Sequence, residues 1–304
     1  MMNPMKFHVT RWLRSSWIWL ACLTCLTCLL VGLSKAAHAL DVGINPSSPK
    51  LGETISILIQ PSQPAPSNPI VTIEQKTFPS FPIAQNRYRA LVPTSPLDKP
   101  RRLVIRINGE ENGTQEVRNM AVLLKNRSFP TQSIWLPPGK AGLQGTDYEF
   151  DRVDAFKQLV TPDKLWNGPF RRPNQGPVST VYGVRRYYNG EFAQDYYHRG
   201  IDYASPTGSP VVAPAAGRVA LVGLESKGFQ IHGNIVGLDH GQGVASAFLH
   251  LNTVLVKEGD LVQVGQKIGT VGSTGAVTGP HLHWGLYVHG VSVDPVPWMY
   301  QRFD

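Results

Sequence analysis

The sequence predicts a mainly β protein, with a small β-sandwich followed by a larger antiparallel β-sheet domain. Three observations lead there. In residues 41–125, apolar side chains alternate with polar ones over short runs, so each run has one face to bury. Beyond residue 176 no helical period survives. Residues 200–304 also hold 17 of the 29 glycines, which implies many tight turns between strands rather than long helices.

The N-terminus reads as a leader. A short basic stretch (Lys6, Arg11, Arg14) precedes an apolar run from Trp17 to Leu33, and Ala37-His38-Ala39 fits a small-x-small cleavage site. Residues 1–39 are therefore expected to be a secretory signal peptide. The run is long enough that an uncleaved membrane anchor stays open. Either way the remainder is exported, to a periplasm or to the cell wall and beyond. All three cysteines (Cys22, Cys25, Cys28) lie in this run. The exported part then has no thiols, which excludes a disulfide scaffold, a cysteine hydrolase and a cysteine-ligated metal module. The formal net charge of +8 includes four basic residues of the leader, and the surplus of the rest sits in residues 40–175. Pairs such as Arg101-Arg102 and Arg171-Arg172 could meet an anionic surface, although solvated faces are the plainer reading. Nothing resembles a nucleic-acid footprint.

Residues 40–125 are assigned to the sandwich. Ile55, Ile57 and Ile59 oppose Thr54, Ser56 and Gln60, while Leu103, Ile105 and Ile107 oppose Arg102 and Arg106. Asn108-Gly109 and Asn112-Gly113 are expected turns. Residues 126–175 read as a connector with one short helix, because Phe150, Val153, Phe156 and Val160 recur at helical spacing before Thr161-Pro162. Residues 176–304 form the larger domain, expected to fold alone, with Gly241-Gln242-Gly243 as a hairpin tip.

The seven histidines beyond the leader all fall between His198 and His289. In an extended chain residues i and i+4 share a face, so His198 and Asp202 point the same way, and Gly200 permits close backbone approach. In His281-Leu282-His283-Trp284 the two histidines share the opposite face from Leu282 and Trp284. His250 stands in a third, apolar strand. Two histidines and one carboxylate make an open catalytic zinc site, and histidines left over can serve as general base or oxyanion donor. The spacing leaves open whether His281 or His283 is the ligand. His240 is expected to be a turn residue, and His232 and His289 to face solvent.

These residues sit in a denser pattern: His198-Arg199-Gly200-Ile201-Asp202-Tyr203, Gly208-Ser209-Pro210-Val211-Val212-Ala213, Gly217-Arg218-Val219, Asp239-His240-Gly241, Leu249-His250-Leu251, Gly269-Thr270-Val271-Gly272-Ser273-Thr274-Gly275 and Thr278-Gly279-Pro280-His281-Leu282-His283-Trp284. Over about residues 178–297 the chain resembles the lysostaphin and LytM-type zinc metallopeptidases, which are peptidoglycan endopeptidases. The resemblance implies one Zn²⁺ held by His198, Asp202 and His283, with His250 and His281 as the catalytic pair. It implies peptidoglycan stems or crossbridges as substrate, with membrane contact only through an uncleaved leader. Two positions depart from the pattern: Phe248-Leu249 where the family often has a tyrosine and a small residue, and Gly285 where many members have Glu. A non-catalytic wall-binding protein or hydrolase activator on the same fold is the alternative. A biotinyl- or lipoyl-type carrier, suggested by Val256–Ile268, lacks a lysine in the required hairpin-tip setting.

Overall fold

Isoleucine spacing sets the first sheet. The computed structural model describes residues 40–64, 66–111, 114–135 and 143–303. The leader, its cysteines, the cleavage site and the Asn112-Gly113 turn lie outside the described residues. Strands β1 (Leu40–Asn45), β2 (Thr54–Pro61), β3 (Ile70–Ile73), β4 (Lys76–Ala84), β5 (Arg87–Pro93), β6 (Arg101–Glu111) and β7 (Thr114–Leu124) join in the order β1-β2-β5-β4-β3-β6-β7. The connected antiparallel strands fold over on themselves as the expected sandwich, so that β2 and β6, four places apart in this order, meet across one core. The connection runs through β4, whose residues 76–79 pair with β3 while residues 80–84 pair with β5. Ile55, Ile57 and Ile59 thereby share one core with Val71, Ile105 and Ile107.

Two expectations change here. Asn108 and Gly109 are not a turn. They lie within β6, paired with Val117 and Glu116. The polar face of β2 is also covered: Thr54 and Ser56 are buried, and Thr54 Oγ1 accepts a hydrogen bond from Trp298 Nε1 at 3.1 Å. Arg89 of β5 ties the same face to the far end of the chain. Its guanidinium is buried, lies over the Trp166 ring, and donates to the Phe303 carbonyl and to Gln242 Oε1.

The following elements are β8 (Thr131–Ile134), α1 (Asp147–Lys157), β9 (Val178–Thr180), β10 (Arg185–Tyr188), β11 (Glu191–Phe192) and β12 (Ile201–Ala204). Then come β13 (Pro210–Val212), β14 (Gly217–Gly223), β15 (Asn234–Gly241), β16 (Val244–Val254), β17 (Leu261–Val262), β18 (Lys267–Val271), β19 (His281–Val288), β20 (Val291–Val293) and α2 (Pro295–Tyr300). The large sheet runs β17-β14-β15-β16-β19-β12-β9, with β18 joining β13 and β16 and β20 joining β19. A small sheet, β11-β10-β8, includes one parallel pair, β8 with β10.

Helix α1 is capped by Thr146, whose hydroxyl accepts from Glu149 N–H at 3.0 Å. Only Val153 and Phe156 of the expected stripe are buried, against Leu221, Phe229 and Ile235. The helix ends at Lys157, so Val160 lies beyond it, and Phe150 turns to the rim of a cleft. Trp166 and Phe170, from the stretch read as connector, pack in the core of the large sheet. Burying each such side chain contributes about 1.5–3 kcal/mol.

The hairpin tip is as expected. Gly241 pairs with Val244, and Gln242 and Gly243 both have positive φ, as a type I′ turn requires. His240 is not a turn residue. It is fully buried in β15, where Nδ1 donates to the Ala216 carbonyl at 2.8 Å and Nε2 accepts from Ser246 Oγ at 2.9 Å. Burial lowers its pKa from 6.5 to about 4. Below pH 6.5 the unfolded chain takes up a proton that the folded chain refuses, so stability falls as pH drops toward 4. The loss reaches about 3 kcal/mol by pH 4, at ~1.4 kcal/mol per unit. Urea unfolding midpoints at pH 7, 6 and 5 should fall along that slope, and a His240→Gln variant should show a visibly flatter one. An unchanged slope in the variant would remove His240 as the source.

Candidate metal centre

Three strands bring the histidines together. Strands β12 and β19 are antiparallel with Asp202 opposite His283 and Ala204 opposite His281, so Asp202, His281 and His283 share one face. Leu282 and Trp284 point into the core on the other face and are fully buried. His250 comes from β16, two residues past the pairing of Phe248 with Trp284. The β15–β16 register shifts between Phe248 and Leu251, and His250 has φ +64°. This irregularity is the device that re-aims a side chain. It leaves the His250 ring 5.0 Å from that of His281 and 6.2 Å from that of His283.

His198 precedes β12 and is fixed by its backbone, bonded to Val184 and Gly183. Its Nδ1 donates to the Val181 carbonyl at 2.8 Å, so its Nε2 carries the lone pair. That lone pair faces Asp202 Oδ1 at 2.9 Å and His283 Nδ1 at 3.0 Å, and the last two atoms are 2.9 Å apart. A proton on His283 Nδ1 could bridge only one of these contacts. The remainder set acceptor against acceptor, in buried surroundings, and a cation among the three atoms relieves this. His198, Asp202 and His283 are the one such group among the described residues. Their chemistry, two imidazole nitrogens and one carboxylate oxygen, suits zinc.

His281 stands slightly apart, its Nε2 3.9 Å from Asp202 Oδ1. Its Nδ1 donates to the Gly279 carbonyl and that of His250 to the Thr274 carbonyl, which leaves both Nε2 atoms with lone pairs. Burial, with His281 and His283 close by, holds the His250 pKa well below the ordinary histidine range. Burial likewise brings His283 down to about 4. Burial works against the Asp202 carboxylate, but His198 and His283 outweigh it and keep its pKa well below the usual range.

The group lies in a cleft of about 810 Å³, walled on one side by Gln132–Trp135 and Arg186, Tyr188 and Tyr196. Gly200 answers a different need from the one its position suggested. A Cβ there would meet the Trp284 carbonyl oxygen at 2.3 Å, so the close approach is to β19. Gly285 gains an explanation too: the Tyr287 ring covers it, 3.0 Å from where a Cβ would stand.

His232 does not face open solvent. Its Nδ1 lies 2.6 Å from Glu149 Oε1, and Glu149 is wholly buried. The same carboxylate accepts from the N–H groups of Gln230, Ile231 and His232 at 3.0, 3.0 and 2.7 Å. Burial opposes its charge, yet these donors hold its pKa below the usual value. The His232 carbonyl in turn accepts from His250 N–H at 3.1 Å. His289 is also sheltered, against the Phe78 ring, and burial lowers its pKa to about 4. Glu149, Arg186 and Gln132 are absent from the sequence-derived site. The Thr146-x-x-Glu149 spacing was the available signal for Glu149, although it reads as a capping box rather than as a link to a remote loop.

The profile of peptidase family M23 matches residues 196–295. This stretch is an M23 peptidase domain. A 98-residue segment is 44% identical to the peptidoglycan DD-endopeptidase ShyC of Vibrio cholerae, covering 32% of this chain and 22% of that protein. A 142-residue segment is 34% identical to the murein hydrolase activator NlpD of Escherichia coli, covering 47% of this chain and 33% of that protein. The chain thus spans about a fifth to a third of the length of these curated relatives. A crystal structure assigned to peptidase M23 from Pseudomonas aeruginosa aligns over 84% of this chain and 95% of that chain, at 25% identity and a TM-score of 0.60. The M23 domain contains His198, Asp202, His250, His281 and His283. Gln132, Glu149 and Arg186 precede it.

Proposed function

We propose that this chain is an exported zinc-dependent endopeptidase that hydrolyses peptide bonds in peptidoglycan crosslinks. The observation that carries the reading is the confronted set of lone pairs on His198, Asp202 and His283, placed within an M23 domain. Bound there, zinc would polarise the scissile carbonyl and lower the pKa of water. His250 and His281 supply the rest. One takes the proton of the attacking water at Nε2. The other, protonated at Nε2, steadies the oxyanion and can pass its proton to the leaving amine. The Thr274 and Gly279 carbonyls accept the Nδ1 protons of the two rings, so each Nε2 is free to take up a proton, and the ring that donates does so as the imidazolium.

The likeness to a protein named as a murein hydrolase activator supports a second reading, a non-catalytic regulator on the same fold. Retention of both spare histidines beside the three ligand atoms favours the enzyme. Purified sacculi incubated with the zinc-loaded protein should lose crosslinked muropeptides and gain free amino groups, with no rise in reducing sugar ends. A chelator should stop the release. Crosslinks left intact under these conditions would favour the regulator, and new sugar ends would exclude peptidase action as the source.

A further inference from the structure

Two buried polar atoms of residues on the cleft wall have no partner among the described residues, Arg186 Nε and Gln132 Oε1. Their residues are direct neighbours in the β8–β10 register, and both line the cleft. The Arg186 side chain is only 11% exposed. One guanidinium nitrogen, Nη1, donates to Tyr188 Oη at 3.2 Å, and Nη2 lies 3.5 Å from Asp202 Oδ2. That second distance is longer than a charge-assisted hydrogen bond of about 2.7–2.9 Å. Arg186 thus pairs with Asp202 by charge, and that pairing leaves the Nε–H idle. A buried guanidinium with an idle N–H is costly unless something else completes it.

Charge points to what completes it. Histidines aside, the charged residues lining the cleft among the described residues are Arg186, Arg199 and Asp202, an excess of positive charge to which a zinc ion would add. Arg199 is already engaged, lying over the rings of Tyr196 and Tyr197. We propose that Arg186, with Gln132 beside it, is a specificity-determining subsite for a substrate residue that presents a free carboxylate next to a peptide N–H. The carboxylate meets Arg186, and Gln132 Oε1 accepts the N–H. This rests on the peptidase reading and narrows its substrate to peptides with such a carboxylate close to the scissile bond.

The test uses two crosslinked muropeptide dimers that differ in one group. One carries a free carboxylate on the α-carbon bearing the leaving nitrogen, and the other carries its amide. The zinc-loaded native protein should cleave the carboxylate form with a kcat/KM about 10²-fold higher, since a site built for a hydrogen-bonded group rejects analogues lacking it. Arg186→Gln should remove most of that preference, lowering the carboxylate form by a similar factor and the amide form by less than about threefold. Arg186→Lys should recover part of it, and native mass spectrometry should find zinc retained in both variants. Equal losses on both substrates, zinc loss, or no preference in the native protein would overturn the proposal. If the native protein cuts neither dimer, the peptidase reading itself fails. Binding of N-acetyl-D-alanine against its amide, in native and Arg186→Gln protein, then decides the arginine alone: no difference between them refutes it.

Discussion

Replacing Asp202 by alanine is expected to empty the metal centre and reduce turnover by ~10³-fold or more, the scale on which a Lewis acid and its activated water act. The effect should be large because the carboxylate is the only anion in the triad of ligand atoms. Without it, two neutral imidazoles must hold a divalent ion. Loss of fold is separable from loss of metal. Native protein should melt at higher temperature with zinc, by an increment equal to about 2.7 kcal/mol when zinc is at a hundred times its dissociation constant. The Asp202→Ala protein should show no such increment. Full zinc content in a cleanly folded variant would refute the ligand assignment.

The second large effect separates ligands from proton carriers. Changing His250 or His281 should leave zinc in place and lower kcat by ~10²–10⁴, the usual contribution of a positioned acid–base group. For His250 the choice of replacement matters. Its φ of +64° lies in the left-handed region, which alanine resists and asparagine tolerates, so His250→Asn tests chemistry with less backbone strain. The two losses should not add when combined, because the residues serve one proton path. Zinc lost from His281→Ala but kept in His283→Ala would mean that the two roles are exchanged.

What could be read from the sequence was whatever rests on local period. The alternation in β2 and β6, the shared face of His281 and His283, and the turn at Gln242-Gly243 all depend on residues within a few positions of one another. What could not be read depends on partners far along the chain. Thr54 looks solvent-facing until Trp298 of α2 bonds to it, more than two hundred residues later. Asn108-Gly109 has turn chemistry, yet β7 holds it in a ladder. Gly200 is explained by the carbonyl of Trp284, and His240 by a hydroxyl from β16 and the carbonyl of Ala216 just ahead of β14. Glu149, Arg186 and Gln132 left no periodic trace, since the groups they meet lie far along the chain.

The hold of Glu149 on residues 230–232 bears on how such a protein can be cut and recombined. The stretch recognisable by family, 196–295, carries every ligand atom and both spare histidines. It leaves behind the carboxylate that ties down the loop whose carbonyl receives the His250 amide. Transplanting that stretch into another chain would move the candidate metal site without the strut for the loop that receives the His250 amide. A host must then bring a substitute anion of its own, and a successful fusion would begin upstream of Thr146, ahead of the first recognisable motif. For this domain the segment that travels as a whole is longer than the segment that can be spotted.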